Sequence, residues 1–126
     1  MTVNSFSSLS LEPALCLFSL GRKQPSCGWL DIGTPFIINI MAEGQDAIAW
    51  QFARPADDKF AGVPAHPGLN GVPYIDGALA RFECRVWVRH NGGDHEICIG
   101  EITHFEATAE GAPMLFYRGQ MARIAS

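Results

Sequence analysis

"RFECRVWVRHNGGDHEICIGEIT", residues 81–103, is the stretch from which the fold can be read. Phe82, Cys84, Val86 and Val88 alternate with Arg81, Glu83, Arg85 and Arg89, and an apolar residue at every second position marks a strand with one face buried. "NGGD" at 91–94 then supplies Asn, Gly and Asp, the residues that tolerate the positive φ of a tight turn. Beyond it, His95, Ile97 and Ile99 fall on one face of a second strand. Two such runs around so short a turn predict an antiparallel hairpin.

The flanking sequence adds strands and one helix. Residues 14–20, "ALCLFSL", and 35–41, "PFIINIM", are short apolar runs with strand character. In "AEGQDAIAWQFARP", residues 42–55, the apolar positions Ile48, Ala49, Phe52 and Ala53 recur at helical spacing and Pro55 marks the stop. Residues 57–77 carry three prolines and four glycines, with Phe60 and Tyr74 among them, too long a loop for a plain connector and suited to a binding segment or a disordered one. "MLFYRGQMARI", residues 114–124, predicts a last strand. Five or so strands with one helix suggest a small closed or nearly closed β-barrel, because closure removes exposed edges. There is no internal repeat, and residues 1–126 read as one domain.

Composition bounds the partners. A chain of 126 residues buries roughly two thirds of its unfolded surface and needs neither disulfide nor metal to hold a core. Only 17% of the residues are charged, below the typical ~25%, which points to surface covered by a ligand, a partner or another copy. The formal net charge of −4 argues against nucleic acid or an anionic membrane as the main partner, since both demand a clustered basic face. No apolar run reaches the ~18–20 residues of a membrane span, and no basic region precedes the first apolar stretch as a secretory signal requires. A soluble, cytoplasmic protein is expected, with Cys16, Cys27, Cys84 and Cys98 as free thiols and three of them as small core residues.

Several chemistries lose their usual support. The chain lacks GxxxxGK[ST], GxGxxG, GxSxG and HExxH, and His66, His90, His95 and His104 are not at ligand spacing, so no metal site is expected. The opening, "MTVNSFSSLSLEP" at 1–13, is more informative. Its Thr, Asn and Ser side chains can offer neutral donors and acceptors to the carbonyl and imide edge of a planar heterocycle, or they can be a solvated, frayed terminus.

That opening resembles the flavin-contacting segment of the short-chain flavin reductases, the FMN-binding split-barrel reductase components of two-component monooxygenases. Further matches follow in the family's order: "ALCLFSL", "FIINIM", "QFARPADDKFAG", "GALARFECRV", "GDHEICIGEI" and "PMLFYRGQM". Together they span essentially the whole chain. The resemblance implies a mainly β fold, an FMN-binding Greek-key split barrel with one or two short helices. It also implies a missing N-terminal strand, because members of the family carry a helix and a strand ahead of the flavin motif.

The resemblance further implies the site. Thr2, Asn4 and Ser5 would face the flavin and Ser8 would lie near it. "GRKQPS" falls where the family grips the FMN phosphate, nominating Ser26 with Arg22 or Lys23, and Lys59 is a second cationic candidate. His95 matches the family's histidine beside the nicotinamide, with a turn-capping role as the alternative. Tyr117 and Arg118 sit where the last strand approaches the cofactor, Arg118 either touching ligand or forming an ion pair. The implied activity is reduction of FMN, with FAD or riboflavin as other flavin substrates, by NADH or NADPH. Reduced flavin would pass to a partner monooxygenase, and the protein would be a homodimer. A non-catalytic flavin-binding protein on the same barrel, or an inactive truncated paralogue, is the alternative. A pyridoxamine-phosphate-oxidase-like enzyme is disfavoured because the matches are to reductase motifs.

Overall fold

In a computed structural model, which describes residues 1–125, the stretch that opened the reading forms the longest hairpin of the molecule. The elements in chain order are β1 (Ser7–Leu11), β2 (Ala14–Gly21), a 3₁₀ turn (Pro25–Gly28), β3 (Pro35–Ile40) and α1 (Asp46–Ala53). They are followed by β4 (Ala65–Pro67), β5 (Pro73–Ile75), β6 (Ala80–Gly92), β7 (His95–Ala107), β8 (Leu115–Tyr117) and β9 (Gln120–Ala122). The main sheet has five strands in the order β1-β2-β7-β6-β3, every pair antiparallel. No helix of the described residues is long and apolar enough to cross a membrane.

The β6–β7 hairpin closes on the pair Gly92 and His95, with Gly93 at φ 79° and Asp94 as the two turn residues. Its faces depart from simple alternation. The register shift between Glu83 and Cys84 lets these two successive side chains turn inward, so Glu83 is fully buried beside Cys84 instead of facing solvent like Arg85, and a second shift follows between Val86 and Val88. On β7 the buried positions are Cys98 and Gly100, and Ile97 and Ile99 fall on the half-covered opposite face.

The sheet curls into a barrel-like shape. β2 and β3 are three strand spacings apart, which in a flat sheet would be about 14 Å. Yet Phe18 of β2 and Phe36 of β3 meet edge to face with ring centroids 5.7 Å apart. The Phe36 ring lies over Gly100 of the intervening β7, where an added Cβ would come within 2.5 Å of it, so the close approach requires glycine there. Around this contact Cys16, Leu20, Leu30, Cys84, Val86 and Cys98 complete the core. Cys16, Cys84 and Cys98 are the small core residues expected, and burial pushes the Cys98 thiol up to about 11.

Three local expectations are corrected. The last strand is a short hairpin, β8–β9, because Arg118 at φ 52° and Gly119 at φ 76° reverse the chain. The 57–77 loop contains the ribbon β4–β5 and is pinned to the sheet, with Ile75 N–H donating to Asn39 Oδ1 at 3.0 Å. The polar opening contributes a strand of its own, β1, paired with β2.

Candidate functional site

The first six residues pack against the barrel. Met1, Val3 and Phe6 lean on the core cluster, and two hydroxyls fix the path between them. The Thr2 hydroxyl donates to the Ala49 carbonyl of α1 at 2.6 Å, and the Ser19 N–H of β2 donates to Ser5 Oγ at 2.8 Å. The extended chain leaves Thr2 and Asn4 exposed, and the Asn4 side chain has no hydrogen-bond partner among the described residues. A groove of about 210 Å³ results, lined by Thr2, Asn4 and Ser5 from the opening, Ser19 and Gly21 from β2, and Gln24 and His95.

His95 reaches the groove because it is the first residue of β7 and pairs in register with Gly21. Its Nε2 edge lies over that glycine, 3.7 Å from where a Cβ would stand. Its Nδ1 is 2.8 Å from Asp94 Oδ1, and the bond to the imidazole together with its charge holds the Asp94 carboxyl below the usual aspartate range. An ionised Asp94 accepts, so Nδ1 carries the hydrogen and Nε2 is the nitrogen that addresses the groove.

Behind the histidine lies a charged network. Glu96 bridges Arg22 at 3.2 Å and Arg89 at 2.5 Å, with side-chain exposures of 19%, 40% and 15% respectively. The bond from Arg89, then that from the Cys27 thiol, hold the Glu96 carboxyl low against the cost of burial. Burial is the largest influence on Arg89 and opposes its charge, but the bond to Glu96, that carboxylate's charge and the contact with Cys27 together more than offset it and raise its pKa above the usual arginine value. Arg89 also donates to the carbonyls of Cys27 and Leu30 at 3.0 and 3.1 Å, tying the 3₁₀ turn to the hairpin.

The structure thus gathers Thr2, Asn4, Ser5 and His95 around one groove. The other nominated residues lie elsewhere. Ser8 is exposed on β1 opposite Cys16. Ser26 is the second residue of the 3₁₀ turn, its hydroxyl donating only to Met1 Sδ at 3.3 Å among the described residues. Lys23 is exposed and without a partner among them. The Arg22 side chain turns to the hairpin tip, donating to Gly93 O at 2.7 Å and to Asn91 Oδ1. Lys59 Nζ donates to the Phe52 carbonyl at 3.0 Å, closing the end of α1. Tyr117 and Arg118 form the β8–β9 tip, with the guanidinium 5.4 Å from the Tyr117 ring centroid. That ribbon touches α1 through Phe116 against Trp50, and neither tip residue lines the groove.

Sequence reasoning did not single out Ser19, Gly21 and Gln24, which line the groove, or Arg89, Glu96 and Cys27 behind it. Arg89 and Glu96 read as solvent-facing members of alternating strands, and only their cross-strand neighbourhood distinguishes them. A second hollow, about 120 Å³, lies at the far end of the hairpin between Tyr74, Leu79, Arg81 and Thr108. There the Arg81 guanidinium stacks on Tyr74 at 3.9 Å and pairs with Glu83, leaving little polar capacity for a ligand.

Comparison with known proteins bears on this geometry. A family model described as "Flavin reductase like domain" matches residues 1–125. The chain is 36% identical over 120 residues to the reductase subunit HsaB of a flavin-dependent monooxygenase from Rhodococcus jostii, covering 95% of this chain and 62% of that protein. It is 37% identical over 124 residues to the FMN reductase (NADH) SmoA of Agrobacterium fabrum, covering 98% of this chain and 70% of the relative. Among solved structures, the NADH:FAD oxidoreductase SgcE6 of Streptomyces globisporus, in complex with NAD and FAD fragments, superposes with a TM-score of 0.94 at 35% identity. That match covers 99% of this chain and 76% of the other. The mainly β split barrel expected from the sequence is the fold of these flavin reductases.

Proposed function

The chain belongs to the flavin reductase like domain family, and from that premise we propose that it reduces a flavin, FMN first, at the expense of NADH or NADPH and hands the reduced flavin to a partner monooxygenase. The observation that carries the reading is the groove itself. It brings the neutral polar side chains of Thr2, Asn4 and Ser5 within reach of His95, far along the chain.

The groove's chemistry fits a flavin ring. Ser5 Oγ already accepts from Ser19 N–H, so its own hydrogen is free to donate. Thr2 spends its hydrogen on Ala49 and keeps lone pairs to accept, and Asn4 offers both kinds of group. A ring with alternating carbonyl and imide groups along one edge matches such a set. At about 210 Å³ the groove is smaller than the ~300–1,000 Å³ pockets that enclose a drug-sized ligand, so it suits a ring edge and leaves the rest of the molecule to adjoining surface. Ser26 and Lys23, on the turn after β2, are the groups to meet the phosphate, and Ser8, Lys59, Tyr117 and Arg118 are outlying candidates. The bound flavin supplies the hydride-accepting chemistry. The chain's part is to orient the ring through residues 2–5 and to hold a proton at His95 Nε2, beside the place a nicotinamide would take. Exposed Trp29, Ile32 and Trp87 support a homodimer, since large apolar side chains left in water favour burial against a second copy.

The test is the oxidation of NADH by the purified protein with and without added FMN, followed by the loss of NADH absorbance. Flavin-dependent acceleration is expected. Tight FMN binding without it would make the protein a flavin carrier instead. His95→Ala should slow single-turnover reduction by about 10²-fold, the low end for losing an acid–base group, while flavin affinity barely changes. An unchanged rate would leave His95 as a turn residue.

A further inference from the structure

We infer that Arg22, which the family resemblance nominates alongside Lys23 for the FMN phosphate, is a positioning residue for His95; the inference rests on the proposed role of that histidine and adds a component to it. Arg22 follows the glycine on which the imidazole lies, and its bonds run to the β6–β7 tip. Its backbone N–H donates to Asp94 O at 3.0 Å and its Nε to Gly93 O at 2.7 Å. One terminal nitrogen donates to Asn91 Oδ1 and the other sits 3.2 Å from Glu96 Oε2. The side chain therefore holds residues on both sides of the turn that carries Asp94 and His95.

Those partners matter to the imidazole. Asp94 fixes which ring nitrogen bears the hydrogen, and Asp94 is a turn residue whose side chain is otherwise in solvent. A rotation of the Gly93–Asp94 peptide would swing that carboxylate away and tilt the ring off Gly21. With Gly93 in the left-handed region, the turn has a glycine's freedom and no side chain of its own to restrain it. The guanidinium supplies the restraint. To reach a phosphate, Arg22 would have to give up the Gly93 carbonyl and the Asn91 amide, whereas Lys23 next to it has nothing to release.

Arg22→Met removes the side-chain bonds and keeps the main-chain one, so the barrel should still fold. Three measurements on the whole chain decide the matter. In the protein without flavin or nucleotide, amide exchange across residues 91–95 should quicken by about tenfold, as loss of charged hydrogen bonds predicts. Unchanged exchange would overturn the inference. The ratio of riboflavin to FMN dissociation constants should stay as in the parent protein, and its collapse toward one would return Arg22 to the phosphate. Single-turnover reduction should fall by about tenfold in Arg22→Met, recover in part in Arg22→Lys, and fall no further when Arg22→Met is added to His95→Ala. Additive losses would overturn the inference. If no form of the protein reduces flavin, the proposed function fails, and the exchange rates and the affinity ratio still decide the role of Arg22.

Discussion

The β6–β7 hairpin carries a buried or half-buried glutamate near each end, and the two do different work. Near the open end Glu83 is 0% exposed, accepting from Arg81 Nε and from the Asn70 N–H, both at 2.9 Å. Asn70 also donates to the carbonyls of Phe36 and Cys84, so this carboxylate fastens the 57–77 loop onto the sheet. At the tip Glu96 is shared by two guanidiniums and a thiol, retains some solvent, and stands behind a groove. Where the carboxylate is sealed and every oxygen has a partner, it serves the fold. Where its partners belong to a turn and a hairpin tip, it sets the relative position of groups that face a ligand.

The strongest way to break this contrast is to orphan Glu83. Arg81→Met leaves a buried carboxylate without the guanidinium bonded to it, and removing one partner of a buried pair costs about 3–5 kcal/mol. Thermal melting should show the loss. Arg81→Met with Glu83→Gln should recover much of it, because the amide oxygen can still accept from Asn70 without a buried charge. FMN affinity, measured well below the midpoint, should be unaffected by either change. A small loss in the single variant would mean that Glu83 takes up a proton or finds water.

A smaller effect separates the two glutamates in acid. Burial pushes the Glu83 carboxyl up, but the bonds from Arg81 and Asn70 together with the nearby positive charge more than offset it, and its folded pKa lies below the usual glutamate range. Glu96 is lowered as well, first by Arg89. A carboxyl with a depressed folded pKa contributes stability that is fully present above its unfolded value, about 4.3, and that disappears as the pH falls through the folded value. Melting midpoints should therefore drop below about pH 4.3, and Glu83→Gln should flatten that acid arm more than Glu96→Gln, whose side chain water still reaches. The reverse order would place the tighter clasp at the tip.

How far these ends were legible follows from their physics. The hairpin, β2, β3 and α1 could be read because each is periodic and bounded by turn residues, as "NGGD" and Pro55 show. Glu83 could not, because the register shift beside it reversed its face and its partner Asn70 lies in a loop with no period. The β8–β9 turn was missed since it places Arg118, a residue with no special tolerance for positive φ, in the left-handed region. In the candidate site, spacing alone could not join Thr2, Asn4 and Ser5 to His95; family resemblance nominated both sets, and the pairing of Gly21 with His95 and the bond from Ser19 to Ser5 bring them together. Arg22 and Lys23 look alike in sequence, and only the hairpin tip distinguishes them.

That last pair gives the smallest predicted effect. Both cations stand at the exit of β2, but Arg22 is engaged with Gly93, Asn91 and Glu96, whereas Lys23 has no partner among the described residues. If the phosphate of FMN lies along this turn, Lys23 meets it in solvent, where an exposed ion pair gains about 0.2–1 kcal/mol. Lys23→Ala should therefore weaken FMN by no more than about fivefold and leave riboflavin unchanged, and raising the salt should erase the difference because exposed charges are screened. Ser26→Ala should act in the same direction through one lost hydrogen bond, without the salt dependence. Fluorescence titration of both flavins at two ionic strengths reads all of these. Equal losses for FMN and riboflavin would move the phosphate away from this turn, toward Lys59 at the end of α1, and would leave the tip network serving His95 alone.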